Sequence, residues 1–221
     1  MSDPRERILS CACELYLKAG FDGFSMRGLA RRVGVTAPAL YRHYESREKV
    51  LLDVVGEAHN LEAQYLYRSL SEPTPRERFA AAGQAWLDFA LEHPRYFQMI
   101  HAFPEIMGLD EIPEEVERGV CASQQFWDDR VRECMDAGIL RPDDTEQIGL
   151  ALWAHGYGLI SLYLRGLLEV PEEVFRDLYR ASFARIFRGM GSDEFARILT
   201  AEMAEAKGAE PSASTAGGEG K

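Results

Sequence analysis

The residues best suited to chemistry lie between positions 24 and 51, where basic and hydrogen-bonding side chains gather around a glycine. Arg42 can contact either a phosphate or a guanine edge, and Arg27 is a second candidate for a base or minor-groove contact. Tyr41 and His43 can form hydrogen bonds with phosphate oxygens. This set of side chains is suited to binding the backbone and the base edges of DNA.

A short run of small residues accompanies these side chains. It consists of Thr36, Ala37, Pro38 and Ala39. Because the run is small and weakly polar, the backbone at the start of a helix can come close to a phosphate or a thymine methyl. Arg47 begins the next helix, beside free amide groups that suit a phosphate.

Helix signals place these residues on two short helices joined by a tight turn. Apolar residues at helical spacing run up to Gly34, which can adopt the left-handed conformation that such a turn needs. Thr36 can cap the second helix, and Leu40, together with Tyr41 or Tyr44, faces back to the core. A helix pair of this kind is how a protein lays a helix in the DNA major groove.

A third helix precedes this pair, so that three helices can close a small core. Gly20 ends it, and its apolar stripe consists of Ile8, Leu9, Ala12, Leu15, Tyr16 and Ala19. Any two helices joined by a glycine show a similar pattern. The alternative is therefore an ordinary helical core that binds no nucleic acid.

Charge is divided unevenly along the chain. The 221 residues contain 25 Lys and Arg and 36 Asp and Glu, a net charge of −11 that taken alone argues against a nucleic-acid partner. Residues 1–50 hold nine basic and six acidic side chains, a net +3, which leaves −14 for the remainder. A basic head on an acidic body orients a molecule on DNA. For the acidic part, ordinary solvated surface is the alternative.

The composition of the chain restricts the cellular compartment and the kinds of partner that we expect. Apolar residues make up 46% of the chain, and neither a run of about 18 apolar residues nor a signal-peptide pattern appears, so we expect a cytoplasmic protein with no membrane partner. We expect Cys11, Cys13, Cys121 and Cys134 to be buried small apolar groups, with redox sensing by the last two as the alternative. The histidines show no ligand spacing, so we expect no metal and no cofactor.

Apolar periodicity continues through the rest of the chain and predicts an all-α fold. A long helix from Arg47 to Leu70 connects the head to the body and can act as a lever. Six further helices are predicted at 75–92, 94–103, 113–137, 142–168, 171–188 and 192–206, most of them with proline at or near the start. The glycine-rich polar segment 207–221 is predicted to be a disordered tail.

The helices predicted at 142–168 and 171–188 carry glycine and apolar residues typical of a dimer interface. Gly149, Gly156 and Gly158 would let another helix approach closely. The predicted interface residues are Leu152, Gly156, Leu159, Phe175, Leu178 and Phe183. The alternative is that these helices form only intramolecular core.

Aromatic residues are enriched in the middle of the chain and can line a cavity for an apolar or aromatic ligand. The predicted lining residues are Trp86, Phe89, Phe97, Phe103, Phe126 and Trp127, with Arg130 and Tyr157 as polar groups. An aromatic stripe at helical spacing is more often plain core, which is the alternative here.

The chain resembles the TetR family of bacterial transcriptional regulators, of the TetR/AcrR type. The resemblance covers about the first quarter of the chain, through IL-x-x-A-x-x-LY-x-x-x-GF, FSMRGLARRVGV and ALYRHYESREKVLL. It implies an all-helical homodimer with an N-terminal helix-turn-helix domain and a C-terminal domain that dimerises and binds a small effector. It places the DNA-facing residues at Arg27, Thr36, Ala37, Pro38, Ala39, Tyr41, Arg42, His43 and Arg47.

Two details of the resemblance concern Gly28 and the segment from Trp153 to Gly156. Gly28 departs from the family pattern, in which an acidic residue commonly completes a capping box with the residue at Ser25. The segment from Trp153 to Gly156 is similar to a Trp/His/Gly element found in one group of the family's C-terminal domains. We therefore divide the chain into a DNA-binding domain at 1–50, a ligand-binding and dimerisation domain at 51–206, and the tail.

The main hypothesis is a ligand-responsive repressor that binds a palindromic operator in double-stranded DNA as a homodimer and is released by a small effector, apolar or aromatic. One alternative is an enzyme acting in the aromatic cavity, although no catalytic constellation or phosphate-binding loop is visible. A second alternative is an adaptor that keeps the fold and binds a protein instead of DNA.

Overall fold

The computed structural model describes residues 4–102 and 113–208, and apart from one isolated bridge between Leu140 and Gly191 every regular element in them is helical. The helices are α1 Pro4–Gly23, α2 Met26–Val33, α3 Ala37–Tyr41, α4 Arg47–Arg68, α5 Pro75–Glu92, α6 Pro94–Ala102, α7 Glu114–Asp136, α8 Thr145–Leu164, α9 Glu172–Met190 and α10 Asp193–Gly208. The all-α prediction is confirmed.

The head packs α1, α2 and α3 on the first half of α4. Its centre holds Leu9, Leu29, Leu40 and Leu51, each essentially inaccessible to solvent, and the same cluster extends along α4 to Val55. Burying such side chains stabilises a small domain by about 1.5–3 kcal/mol each. The three-helix head thus encloses a hydrophobic core to which α4 also contributes.

Glycines end the first two helical segments as the sequence indicates. Gly34 has φ 82 and ψ 31, and its N–H donates to the carbonyl of Ala30. Gly20 has φ 66, so the backbone breaks there before a final turn of α1. Only glycine adopts these left-handed conformations without strain, which explains why both segments end where they do.

The predicted limits of α8 and the tail require correction. The α8 helix begins at Thr145 rather than Pro142, because the carboxylate of Asp144 caps it by accepting the backbone N–H groups of Glu146 and Gln147. It ends at Leu164 rather than Leu168, just before Gly166 at φ 69. The α10 helix continues through Gly208, and the remainder of the predicted tail lies outside the described residues.

The α4 helix runs from the head into the body. Its 22 residues span about 33 Å at 1.5 Å per residue. Val50 and Val54 lie in the head core, whereas Tyr65 and Leu66 lie in the body cluster with α5. A single rigid element therefore joins the two hydrophobic cores.

The cysteines follow the prediction with one exception. All four are free thiols; Cys13 and Cys134 are buried and Cys11 is partly buried. Cys121 is exposed on α7, because its side of that helix faces away from α4 and α5, so the expectation that it is buried is wrong. Within the described helices, none has both the length and the apolar character to cross a membrane.

Candidate nucleic-acid interface and effector cavity

The α3 helix presents one face to the core and the other to solvent. Leu40 and Tyr44 are buried, so Tyr44 rather than Tyr41 completes the inward face. Tyr41 is 50% exposed, and Arg42 and His43 are exposed beside it. The head therefore exposes the hydrogen-bonding groups that the sequence predicts to face DNA.

The small residues before Leu40 lie on the same exposed surface. The side-chain oxygen of Thr36 accepts the backbone N–H of Ala39 at 3.3 Å, which fixes the start of α3. Thr36 and Pro38 are exposed, and Ala37 and Ala39 are partly exposed. No bulky side chain of this run stands between the α3 backbone and a docked surface.

Arg27 and Arg42 are exposed cations flanking this surface. Within residues 4–102 and 113–208, no carboxylate lies within ion-pair distance of either guanidinium. Arg32, by contrast, is paired with Glu14 on α1. The two unpaired arginines are free to meet phosphates, since no internal pair has to be broken first.

Arg47 is held inside the head. Its guanidinium lies 3.9 Å from the ring centroid of Phe21, donates to the carbonyl of Phe21 at 3.2 Å and pairs with Glu48 at 2.9 Å. These contacts tie the start of α4 to α1. A phosphate contact by Arg47 stays a prediction, and it would compete with Glu48.

One hydrogen bond ties the end of the exposed α3 surface to α4, and another caps the start of α2. Tyr44 donates from its hydroxyl to Asp53 of α4 at 2.9 Å, and burial together with this carboxylate raises the pKa of Tyr44 to about 12. Ser25 accepts the N–H of Gly28 at 3.1 Å, which is one half of a capping box. The Tyr44–Asp53 bond therefore links α4 directly to the residues that follow α3.

The α6 helix connects the head to the body by a second route. Its Met99 is buried in the head cluster, with Tyr96 packed against it, whereas Phe97 and Ile100 are buried in the body cluster. This nine-residue helix thus contacts both cores. A shift of this helix cannot leave the head packing unchanged, because packed interiors tolerate little displacement.

The body contains a cavity of about 470 Å³, within the usual range for small-molecule sites. It is bounded by α5, α7, α8 and α9, with α10 covering one side. The aromatic wall residues are Phe79, Trp86, Trp127, Trp153, Tyr179, Phe183, Phe187 and Phe195. Arg76, Gln84, Cys134 and Arg180 contribute polar groups.

Only part of the predicted ligand set lines this cavity. Trp86 and Trp127 do. Phe89, Phe97, Phe126, Arg130 and Tyr157 do not line it, and Phe103 lies outside the described residues. The aromatic enrichment lies around this cavity, but most of the predicted residues belong to the surrounding core.

The misplaced residues have internal partners. Phe89 and Phe97 are buried in the body cluster. Arg130 forms an ion pair with Glu133 at 2.9 Å and lies over the ring of Phe126. Tyr157 stacks on Trp153 with ring centroids 5.4 Å apart. These contacts correct the prediction, since each group packs against its neighbours instead of the cavity.

The sequence of α9 contains a pattern that indicates the cavity residues which the prediction missed. Aromatic rings recur there every four residues, at Phe175, Tyr179, Phe183 and Phe187. Successive rings of this ladder approach one another, and Phe187 meets Phe79 of α5 at 5.2 Å. A four-residue repeat lies on one helix face, so it marks α9 as a wall of the cavity.

Two polar groups of the wall are buried. The hydroxyl of Tyr179 has no hydrogen-bond partner among the described residues, and burial raises its pKa. Burial also raises the pKa of Cys134 to about 12, so this thiol is neutral near pH 7. The wall thus offers hydrogen-bonding groups but no thiolate nucleophile at this position.

Trp86 separates the cavity from a buried polar cluster. Its Nε1–H donates to Glu62 of α4 at 2.9 Å, and His59 lies 3.4 Å from the other carboxylate oxygen. Its ring also meets Phe97 and His101 of α6. The indole therefore contacts the cavity and both helices that lead to the head.

The predicted dimer residues are mostly internal. Phe175 is fully buried and stacks on Tyr163 with ring centroids 4.1 Å apart, and Gly156 is pressed against Trp86 and Tyr179. Leu152 is also buried. These three cannot meet a second chain without opening the core, which corrects the prediction for them.

The other three predicted dimer residues differ in exposure. Leu159 is partly buried in the body cluster and Phe183 lines the cavity. Leu178 is exposed. It lies on an outer face of α8 and α9, hereafter the α8–α9 face, which also includes Gly158, Leu162 and Val174.

Comparison with known proteins identifies the two parts of the chain. Residues 8–54 match the family model described as bacterial regulatory proteins, tetR family, and residues 79–190 match a tetracyclin repressor-like C-terminal domain. Together these matches include the whole exposed α3 surface and most of the cavity wall.

Individual relatives agree with the family models. The chain is 25% identical over 142 residues to the transcriptional repressor KstR2 of Mycolicibacterium smegmatis, covering 63% of this chain and 68% of that one. It is 43% identical over 54 residues to the class C tetracycline repressor of Escherichia coli, which covers 24% of each.

A solved structure extends the likeness to nearly the whole fold. A protein of unknown function from Rhodococcus sp. RHA1 superposes with a TM-score of 0.71 at 26% identity, covering 87% of this chain and 97% of that one. The family models, the helix-turn-helix head and the helical body lead to one conclusion. The chain belongs to the TetR family of bacterial regulatory proteins and is a DNA-binding transcriptional regulator.

Proposed function

We propose that the protein is a ligand-responsive repressor that binds a palindromic operator as a homodimer and leaves it when a small effector occupies the body. The observation that carries the DNA part is the exposed α3 surface, where Tyr41 at the end of α3 and Arg42 and His43 directly after it are exposed while Leu40 and Tyr44 are buried. Arg27 and Arg42 add unpaired charge to it.

The homodimer is proposed on the α8–α9 face. Leu162, Val174 and Leu178 are between 37% and 48% exposed there, and a Cβ at Gly158 would meet no atom within 4 Å, so a partner helix has room to approach. A hydrogen bond between His155 and Ser182 at 3.0 Å holds the two helices together. Two-fold pairing would present two α3 helices to major grooves about 34–36 Å apart.

The contacts of Trp86 suggest how the effector acts. A ligand in the cavity presses on an indole that is bonded to Glu62 of α4 and packed on Phe97 of α6. Both helices enter the head core, and α4 holds Tyr44 through Asp53. An effector that prefers the state with displaced helices by about 3 kcal/mol would weaken operator binding by roughly two orders of magnitude.

Binding rather than catalysis is proposed at the cavity. Among the described residues of its wall, the polar groups are two guanidiniums, one amide, one buried phenol and a thiol with a raised pKa. General acid–base chemistry needs a group whose pKa lies near the working pH and that reaches the reacting atom. Relatives of known function are transcriptional regulators, which agrees with a binding role.

The test is direct binding of the full chain to DNA fragments from upstream of its own gene. We expect a gel shift at low salt that maps to a palindrome and weakens steeply as salt rises. A scrambled fragment of equal length and composition is the control. Failure to shift any upstream fragment at low salt would defeat the proposal.

A further inference from the structure

We infer that the effector is an elongated apolar molecule that carries one anionic group, such as a medium-chain or aryl carboxylate, and that Arg180 binds this anion at one end of the cavity. The inference rests on the proposed function in treating the cavity as the effector site. It goes beyond it by assigning the chemistry of the ligand and its orientation.

The shape of the cavity follows from how α5 and α9 lie. Asp88 of α5 pairs with Arg176 of α9, and Phe79, earlier in α5, contacts Phe187, later in α9. The two helices therefore run antiparallel. The cavity opens between them. Along α5 its wall runs from Trp86 back to Arg76, a distance of about 15 Å at 1.5 Å per residue.

The two ends of this slot differ in chemistry. Gln84 and Arg180 each lie one helical turn beyond the Asp88–Arg176 pair, so they share one end. At the other end Arg76 lies over the ring of Phe195, and Leu199 completes the wall from α10. Each end thus carries an arginine, but the first end also offers the amide of Gln84, whereas at the second end Arg76 is held over an aromatic ring among apolar groups.

The charge of the wall selects an anion. Within the described part of the chain, the charged side chains that line the cavity are both arginines, although the protein as a whole carries a net charge of −11. Two of the nearby carboxylates are already engaged, Asp88 by Arg176 and Asp177 by Arg180. Asp128 approaches the wall at Gly149, on the α7–α8 side.

Arg180 is the arginine that can change partner. Its pair with Asp177 is exposed on both sides, at 60% and 73%, and exposed pairs of this kind contribute little stability. A ligand carboxylate at the cavity edge can therefore replace Asp177 and accept two hydrogen bonds from the guanidinium. The tail of the ligand would then lie between Phe79, Phe183 and Phe187.

The experiment is calorimetric titration of the full chain with decanoate, decanol and decylamine, which share a tail and differ in charge. We expect decanoate to bind at least tenfold more tightly than decanol, and decylamine most weakly. Arg180→Gln should weaken decanoate by about tenfold and leave decanol unchanged. Arg188→Gln, an exposed arginine of α9 outside the wall, should change neither.

A cavity-filling variant keeps the test independent of folding. Gly83 lines the cavity and a Cβ there would meet no atom within 4 Å, so the side chain of Gly83→Leu starts in open space and extends into the cavity. We expect it to abolish decanoate binding while Gly83→Ala retains it. Both variants should unfold no more easily than the natural protein, because glycine is the poorer helix former.

Several results would overturn the inference. Equal affinity for decanoate and decanol, tighter binding of decylamine, an Arg180→Gln variant that binds decanoate normally, or no binding by any of the three probes would each do so. Operator binding is measured separately on the same preparations. Loss of the gel shift with intact decanoate binding would refute the proposed function alone. An intact gel shift without decanoate binding would refute this inference alone.

Discussion

The indole N–H of Trp86 donates to the buried carboxylate of Glu62 at 2.9 Å, which joins the cavity wall on α5 to the helix that enters the DNA-binding head. Glu62 is 4% exposed and is otherwise contacted by His59. A buried carboxylate is stable only when hydrogen bonds replace its lost hydration. This one bond therefore serves both the stability of the body and the proposed response to ligand.

Trp86→Phe tests this bond. The variant keeps an aromatic ring but leaves one oxygen of Glu62 without its donor, so we expect the free energy of unfolding to fall by about 2 kcal/mol in urea titrations. Adding Glu62→Gln should recover part of the loss, because an amide is less costly to bury than a carboxylate. Equal stability of Trp86→Phe and the natural protein would show that the bond contributes nothing.

The pH dependence of stability should report on His101. This imidazole stacks on Tyr157 and contacts the tilted ring of Phe97, its Nδ1–H donates to the carbonyl of Phe97 at 2.7 Å, and burial lowers its pKa. Because the folded state disfavours the charged ring, its contribution is present above the ordinary pKa of about 6.5 and is lost as the pH falls below it.

We therefore expect the urea midpoint to drop between about pH 8 and pH 5.5, and to drop less in His101→Phe. The pKa of His155 is also lowered by burial, so some decline should persist in the variant. His155 is less buried than His101, and the variant His155→Phe serves as the comparison. A decline of the same size in His101→Phe as in the natural protein would count against the assignment.

The dimer prediction concerns the α8–α9 face. Leu162→Glu combined with Leu178→Glu places like charges at a contact between copies, so we expect sedimentation or light scattering to show single chains and operator affinity to fall by at least tenfold. Leu70→Glu changes a leucine of similar exposure outside this face and should remain dimeric. A double variant that stays dimeric would place the interface elsewhere.

The DNA surface is tested by removing its unpaired groups. Tyr41→Ala combined with Arg42→Ala should abolish specific operator binding while leaving the dimer intact, since both side chains are exposed and neither supports the core. Arg42→Ala alone should reduce the salt dependence by about one unit if it contacts phosphate, and relax base preference if it contacts guanine. Arg188→Ala and Tyr67→Ala are the matched controls, and a comparable loss in them would contradict the assignment.

The turn between α2 and α3 should depend on glycine. Gly34→Ala forces a side chain into a backbone at φ 82 and brings its Cβ to 3.4 Å from Arg7, so we expect a loss of about 1 kcal/mol or more in thermal or urea unfolding. Gly56→Ala, within α4 with open space around it, should instead gain about 0.5–1 kcal/mol. Similar effects of the two substitutions would argue against a special role for the turn.

The sequence determined the features that depend on neighbouring residues. Gly34, Thr36 and the capped start of α5 at Pro75 act through backbone conformation and hydrogen bonds within a few residues, so the order of helices and the identity of the recognition helix were predictable. The three motifs of the head then sufficed to indicate the family.

Tertiary structure decided which side of each helix faces what. Periodicity shows that Tyr41 and Tyr44 compete for the core, but only packing on α4 buries Tyr44. Periodicity also indicates that Phe175 is apolar, but it does not show whether Tyr163 or a second chain covers this ring. The cavity is formed by residues as far apart as Phe79 and Leu199, because it is space left between helices whose separation no local pattern encodes.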